Sequence, residues 1–156
     1  MDIPFIEQAK IQAQALVPLL KALRAELGEE RVNALVRKTL GEQWRQFGEQ
    51  WWREHKGNLS EKIAPVFAMA GASHALDYEV LQQTPEAYDV NVTGCRYAQF
   101  FHELGEPDLG FLLMCGMDVP AAEGYGPDVE FTRTQTIMEG GSHCDFRYKL
   151  KRAERA

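Results

Sequence analysis

The feature that most constrains this chain is a change in the period of its apolar residues near Gly71. Before that point apolar side chains recur every three or four residues, the spacing of one face of a helix; after it they alternate, the spacing of one face of a strand. Helices first and strands after predict an α+β fold in which N-terminal helices pack on one face of a sheet.

In residues 4–27, Ile6, Ala9, Ala13, Leu16, Leu20, Leu23 and Leu27 mark an amphipathic helix that Gly28 ends. Pro18 lies inside this pattern and is expected to kink or divide the helix, because it has no N–H for the ladder. A second helix is expected from residue 29 to about 55, with Val32, Leu35, Val36, Leu40, Trp44, Phe47 and Trp51 as its stripe and Lys56-Gly57-Asn58 as its stop. Trp44, Trp51 and Trp52 read as core or subunit contacts, since bulky aromatics at helical spacing are packing residues first. Residues 59–70 form a third helix, capped by Ser60, with Ile63, Val66 and Phe67 inward and Pro65 close to its start.

Alternation then places Leu76, Tyr78 and Val80 on one face of a strand and, after a turn around Pro85, Tyr88, Val90 and Val92 on one face of the next. Residues 131–138 and 143–150 read as a hairpin about Glu139-Gly140-Gly141-Ser142. The result is a four-stranded, mostly antiparallel sheet with short helices between the strand pairs. The expected organisation is one domain, residues 1–156, with a helical part at 1–73 and a sheet that bears the site at 74–151.

On the last strand Cys144, Phe146, Tyr148 and Leu150 share the inward face, while His143, Asp145, Arg147 and Lys149 share the outward one. With a two-residue turn at Gly140-Gly141, Ile137 opposes Cys144, Gln135 opposes Phe146 and Arg133 opposes Tyr148. Arg133 and Gln135 then point inward; a three-residue loop would reverse that parity. An inward arginine and amide need partners, so they predict either a buried polar network or a ligand pocket with a polar floor.

Between the strand pairs, Thr93 or Gly94 is placed to cap a helix carrying Phe100, Phe101 and Leu104 that stops at Gly105. Cys95 then falls in its first turn, where free N–H groups and the dipole favour a thiolate. His102 lies on the same face but about 10 Å further along the axis. Pro107 opens a short helix reaching Cys115, with Gly116 as its stop, and Asp118 can cap the following turn.

The net charge of −6 argues against a nucleic-acid surface, and 45% hydrophobic with 26% charged residues are ordinary globular proportions. Three cysteines, an odd number without CxxC spacing, and no signal-peptide pattern in MDIPFIEQAK predict a cytoplasmic protein. The apolar runs are too short to cross a bilayer. The basic KLKRAERA end reads as solvated and frayed. The expected partner is a small molecule, with no nucleic acid, no membrane and a possible homo-oligomer through the tryptophan-bearing helix.

The runs VTGCRY, FHELGEPDLG, CGMD and TRTQTIMEGGSHCDF, all between residues 88 and 148, resemble the L-2-amino-thiazoline-4-carboxylic acid hydrolase family. Its members share a cysteine after a strand, a Cys-x-x-Asp and a Cys-Asp-Phe after a glycine turn. The resemblance assigns motif positions to Cys95, Arg96, Tyr97, Cys115, Asp118, Arg133, Cys144, Asp145 and Phe146. It implies a hydrolase acting on the carbon–nitrogen bonds of a cyclic amidine: water adds at the amidine-like carbon of a 2-amino-thiazoline, giving an N-carbamoyl amino acid.

Such a hydrolysis needs a nucleophile, a proton donor for the departing heteroatom and a counter-charge for a substrate carboxylate. Cys115, Cys144 or Cys95 can attack, or an aspartate can activate water; Asp118 or His143 can move protons. Arg133 or Arg96 can hold the carboxylate, and Tyr97, Gln135 and His102 complete the candidate binding set. His143 and Asp145 lie opposite Cys144 on a regular strand and can only support it if a bulge re-aims them, which favours Asp118 as acid/base. No cofactor is expected. The alternative is a non-catalytic small-molecule or zinc-binding module, more weakly resembling the vinyl-reductase-like domains, in which three cysteines and a histidine hold the metal. The cysteines are about 20 and 29 residues apart, unlike the knuckles of most zinc sites. A third option makes the cysteines plain core residues. Convergence of the three beside Asp118 and an arginine is what separates these options.

Overall fold

The computed structural model describes residues 3–152, so the last part of the basic C-terminal segment lies outside the described residues. Three long helices come first: α1 (Phe5–Leu27), α2 (Glu29–Glu54) and α3 (Leu59–Ala72). The strands β1 (Leu76–Gln83) and β2 (Ala87–Cys95) follow, then α4 (Arg96–Glu103) and α5 (Pro107–Leu113). A 3₁₀ turn at Cys115–Met117 leads into α6 (Asp118–Gly124), and β3 (Val129–Thr132) and β4 (Cys144–Leu150) close the chain. The sheet order is β1-β2-β4-β3 with every pair antiparallel, so the fold is α+β as the change of period predicts. Among the described residues no helix is long and apolar enough to cross a membrane.

Gly28, at φ +89°, separates α1 from α2 in a conformation open to glycine. Pro18 does not divide α1, which runs unbroken past it; the proline lies on the exposed face, where water can satisfy the carbonyl left without a donor. The cap of α3 is Asn58 rather than Ser60. Asn58 Oδ1 accepts the Glu61 N–H at 3.1 Å and the Glu61 carboxylate accepts the Asn58 N–H at 2.8 Å, a reciprocal capping box. Pro65 sits in the interior of α3, further in than its chemistry predicts.

The orientation of α2 departs from its apolar stripe. Only Val32 of the seven stripe residues is buried, and Leu35, Trp44 and Phe47 are 52%, 40% and 44% exposed. The face that meets α6 carries Gly41 and Gly48 instead. A Cβ on Gly48 would fall 2.1 Å from the Ala121 carbonyl oxygen, and one on Gly124 would fall 2.2 Å from the Arg45 carbonyl oxygen. The two helices therefore touch backbone to backbone, which hydrophobic periodicity does not register. Trp51 and Trp52 anchor the end of α2: the Trp51 indole donates to the Lys62 carbonyl at 2.9 Å, and Trp52 stacks on Tyr125.

Strand β3 is shorter than predicted. Phe131 pairs with Tyr148, where the two-residue turn put Arg133, and the chain leaves the sheet after Thr132. The reason is a competing set of bonds, since the Thr134 and Gln135 N–H groups go to the Asp145 carboxylate instead of the β4 backbone.

Two buried clusters result. One lies between α3 and the sheet, with Phe67 against Tyr88, Phe146 and Tyr148; the other joins α1, α2, α4 and α5 around Val17, Val32, Phe101 and Leu109. Burying a side chain such as Phe101 or Phe67 stabilises by about 2–3 kcal/mol. Cys95 and Ile137 pack against both clusters, and the candidate site occupies the seam between them.

Candidate active site

Arg133 is the centre of this seam. It lies one residue past the end of β3 and turns to the side of Phe131 and Tyr148, so its side chain, 7% exposed, sits beneath the sheet. The guanidinium lies between the rings of Phe111, 5.9 Å away, and Phe146, 5.5 Å away. A charge held this far from water requires partners. Nη1 and Nη2 both donate to the Cys115 carbonyl at 3.2 Å, and Nη1 also donates to the Asp118 carboxylate. With its fork engaged internally, Arg133 orients Asp118 rather than clamping a second carboxylate through both Nη atoms.

Asp118 is the first residue of α6 and caps nothing; the cap position falls on Met117, which makes no side-chain bond. Its place is set by the glycine contacts that seat α6 on α2. The side chain keeps 36% of its surface, so one edge of the carboxylate stays reachable. Burial pushes its pKa up, to about 6, against the pull of the Arg133 guanidinium.

The three cysteines reach this pair from separate elements. Cys95 ends β2 and itself caps α4, in place of Thr93 or Gly94: its Sγ accepts the Ala98 N–H at 3.4 Å. The depressed pKa expected there is not realised, because burial raises it and outweighs the lowering by the Ala98 and Tyr97 N–H groups. Cys144 opposes Val92 across the sheet, its Sγ accepts the Ile137 N–H at 3.2 Å, and burial raises its pKa to about 11. Cys115 opens the 3₁₀ turn rather than ending a helix, and burial together with the nearby Asp118 charge holds its thiol far above the ordinary range. Asp118 acts on all three thiols and Arg133 on Cys115 and Cys144, so the five groups share one electrostatic environment. All three sulfurs are protonated near neutrality.

Other sequence candidates lie elsewhere. Arg96 pairs with Asp77 on the surface, with Nη2 donating to Oδ1 at 3.2 Å, and is not directed at Asp118. Tyr97 is half-buried beside Cys95, and burial raises its pKa to about 12. His102 donates from Nε2 to the Met138 carbonyl at 2.9 Å. Gln135 turns towards Gly141, where an added Cβ would fall 2.8 Å from its Oε1, and does not extend the inward face. His143 bonds through Nδ1 to the Ser142 hydroxyl at 2.9 Å, away from Cys144. Asp145 faces outward as alternation predicts and accepts three bonds from Thr134 and Gln135. Sequence reasoning missed Phe111 and the Cys115 carbonyl; Ile137 it set opposite Cys144, and that contact is made by the Ile137 N–H on Sγ. Only Phe111 carried a signal, as an aromatic ring on a short helix beside the motif residues.

A groove of about 590 Å³ abuts the site; Arg37, His102 and Met138 contribute to its walls, as does Phe111, the ring on which Arg133 lies. A second, of about 700 Å³, runs between α1 and α2 past Trp44 and Phe47. Neither is lined by Cys115, Asp118 or Cys144. For the zinc alternative, no three His, Cys, Asp or Glu side chains among the described residues are grouped to hold a metal ion.

The model of the family described as L-2-amino-thiazoline-4-carboxylic acid hydrolase matches residues 8–148. No curated protein matches the chain. Among solved structures, the chain is similar to the crystal structure of the phenol-responsive sensory domain of the transcription activator PoxR with phenol. The TM-score is 0.55 at 13% identity, covering 87% of this chain and 73% of that one, a likeness of fold.

Proposed function

Because the chain belongs to the L-2-amino-thiazoline-4-carboxylic acid hydrolase family, we propose that it hydrolyses a small cyclic amidine or isothiourea, of the 2-amino-thiazoline carboxylate kind, with Asp118 as its acid/base residue. The observation that carries this reading is the Asp118 carboxyl itself: held by Arg133, open along one edge and raised to about 6. A carboxyl near that value is ionised at neutral pH yet basic enough to take a proton in a transition state.

In this mechanism Asp118 removes a proton from water as the oxygen bonds to the amidine carbon, and delivers it to the ring nitrogen. Water thus adds across the carbon–nitrogen double bond; the bond that then breaks to open the ring is the one from that carbon to the ring sulfur, and the remaining water proton leaves the oxygen for the departing sulfur. The products are a ureido group and a free thiol, and one water is consumed. Arg133 balances the Asp118 charge and fixes its orientation, while its Nε, which bonds no protein group among the described residues, is free to meet a substrate carboxylate. Water is taken as the nucleophile: all three thiols are held protonated, so a cysteine could attack only after giving its proton to Asp118, whereas water needs the same base and no covalent intermediate. Cys115, three residues before Asp118, contributes a neutral thiol to the wall of the site.

A second reading, a ligand-binding module without turnover, is favoured by one observation: the chain has the fold of a small-molecule-responsive sensory domain. One assay decides between them. Protein is incubated with L-2-amino-thiazoline-4-carboxylate, and N-carbamoyl-cysteine is measured for wild type, Asp118→Asn, Arg133→Met and Arg96→Ala. The hydrolase reading expects turnover by wild type and Arg96→Ala, and a loss of about a hundredfold or more in Asp118→Asn. Tight binding with no product from folded wild type would move the assignment to the binding module.

A further inference from the structure

The side chains of Cys144 and Asp145 accept four hydrogen bonds, all of them from one short stretch of chain. Asp145 Oδ1 accepts the Thr134 N–H at 2.8 Å and the Gln135 N–H at 2.9 Å, Asp145 Oδ2 accepts the Thr134 hydroxyl at 2.5 Å, and Cys144 Sγ accepts the Ile137 N–H at 3.2 Å. That stretch leaves the sheet after Thr132 and has no ladder bonds of its own; these four contacts fix residues 134–137 to β4, while the Gly141 N–H on the Thr136 carbonyl and the His102 ring on the Met138 carbonyl hold its far end. Arg133 is the residue at its start. From the geometry we infer that Cys144 and Asp145 are positioning residues, which aim the Arg133 guanidinium at Asp118 and the Cys115 carbonyl, and that neither takes part in bond making or breaking.

Alternation gives the division of labour. Cys144 points inward and Asp145 outward, so they grip the 134–137 segment from both faces of β4. The thiol is occupied as an acceptor, and the carboxylate is saturated by three donors on the face remote from Asp118. Burial of the sulfur and its protonated state agree with this role. A serine at 144 would keep an acceptor for Ile137 while removing the sulfur; an alanine would remove both. Asparagine at 145 would keep Oδ1 for the two backbone donors.

In its activity readout the inference rests on the hydrolase reading, so a second readout is independent of turnover: the titration of the Asp118 carboxyl by carbon-13 NMR. We compare Cys144→Ser with Cys144→Ala and Asp145→Asn with Asp145→Ala. Positioning expects the serine and asparagine variants within about threefold of wild-type kcat with an unchanged Asp118 midpoint. It expects the two alanine variants to lose about tenfold or more, because a misplacement of about 1 Å at a distance costs that much. Their Asp118 midpoint should rise as the Arg133 pull weakens. Should an alanine variant not fold, the serine variant still decides. A Cys144→Ser protein without turnover beside active wild type, its Asp118 midpoint unmoved, would make Cys144 a chemical participant and overturn the inference. If wild type itself turns nothing over, the hydrolase reading fails alone, and the midpoint still judges positioning: a rise confined to the alanine variants upholds it, and no rise overturns it.

Discussion

Replacing Gly48 by alanine should destabilise the protein, although helix propensity alone says the opposite. Gly48 is in the interior of α2, and alanine there reduces chain entropy in the unfolded state, a gain of up to about 1 kcal/mol. The added Cβ would fall 2.1 Å from the Ala121 carbonyl oxygen and 3.2 Å from the Gly124 Cα. A carbon and a carbonyl oxygen settle no closer than about 3.3 Å, so α6 must withdraw by about 1 Å. Both atoms belong to helix backbones, so no side chain can turn aside to relieve the contact. Overpacking of this kind costs about 1–3 kcal/mol, and we expect a net loss within that range. Gly41→Ala is the control, on the same face two turns earlier, because its Cβ would meet the Pro120 ring at 3.6 Å, an ordinary contact. That variant should be unchanged or more stable by up to about 1 kcal/mol. Urea unfolding followed by tryptophan fluorescence reads both, with midpoint and slope compared so that a change in the unfolded state is recognised. Since Asp118 opens α6, Gly48→Ala should also weaken turnover. Equal stability of the two variants would refute the backbone contact and the account of how Asp118 is placed.

The pH dependence follows from Asp118 as base: kcat/KM should rise as pH increases through about 6 and level above it, and Asp118→Asn should remove that limb. A limb near 4 would show that the Arg133 pull outweighs burial. For stability the sign is the reverse of a usual salt-bridged aspartate. A folded pKa raised from 3.8 to about 6 contributes stability that is complete below about 4 and lost as pH rises through 6. The full shift corresponds to about 3 kcal/mol, and with 36% of the side chain exposed and screened we expect roughly half of it, read as the difference between wild type and Asp118→Asn across that window. At pH 8 iodoacetamide should label Cys144 on the order of a hundredfold more slowly than a free cysteine, given its pKa of about 11, and peptide mapping that finds it labelled quickly in folded protein would contradict its burial.

Much of the fold was legible because its causes are local. Tyr88, Val90 and Val92 alternate in sequence and are buried as alternation requires, and the same rule divides Cys144, Phe146 and Tyr148 from Asp145 and Arg147. The capping box of α3 is also legible, since Asn58 stands three residues before Glu61; Lys56-Gly57-Asn58 carries the stop signal of α2 and the start signal of α3 in the same residues. The rotation of α2 was not. It depends on Gly48 meeting Gly124, residues 76 positions apart by their numbers, and glycine adds nothing to an apolar stripe. The large residues of that stripe point to core or subunit contacts, while the close contact within the chain needs small ones.

The candidate site shows how an expectation can survive an error in its premise. The hairpin register is displaced by two residues, yet a shift of two preserves every face of a strand, so Phe131 keeps the face of Tyr148 and Arg133, one residue past the end of β3, still turns to that side. A displacement of one would have exposed it. The Cys95 thiolate had no such protection. The cap it makes is real, with the Ala98 N–H on its sulfur, but a cap is local, whereas the desolvation that opposes it comes from two clusters meeting around the sulfur. Local geometry predicts where a titratable group sits, and the packing of distant segments decides which charge it can hold there. The same reasoning separates Asp118 from Asp145, both read as acids near a cysteine. Asp145 is saturated by three donors on an outward face, and those bonds help hold it below the usual carboxylate range; Asp118 has one cationic partner in a buried seam and is raised. Of the two, only Asp118 has a proton affinity close enough to neutrality for proton transfer, which is why the chemistry is assigned to it and the architecture to Asp145.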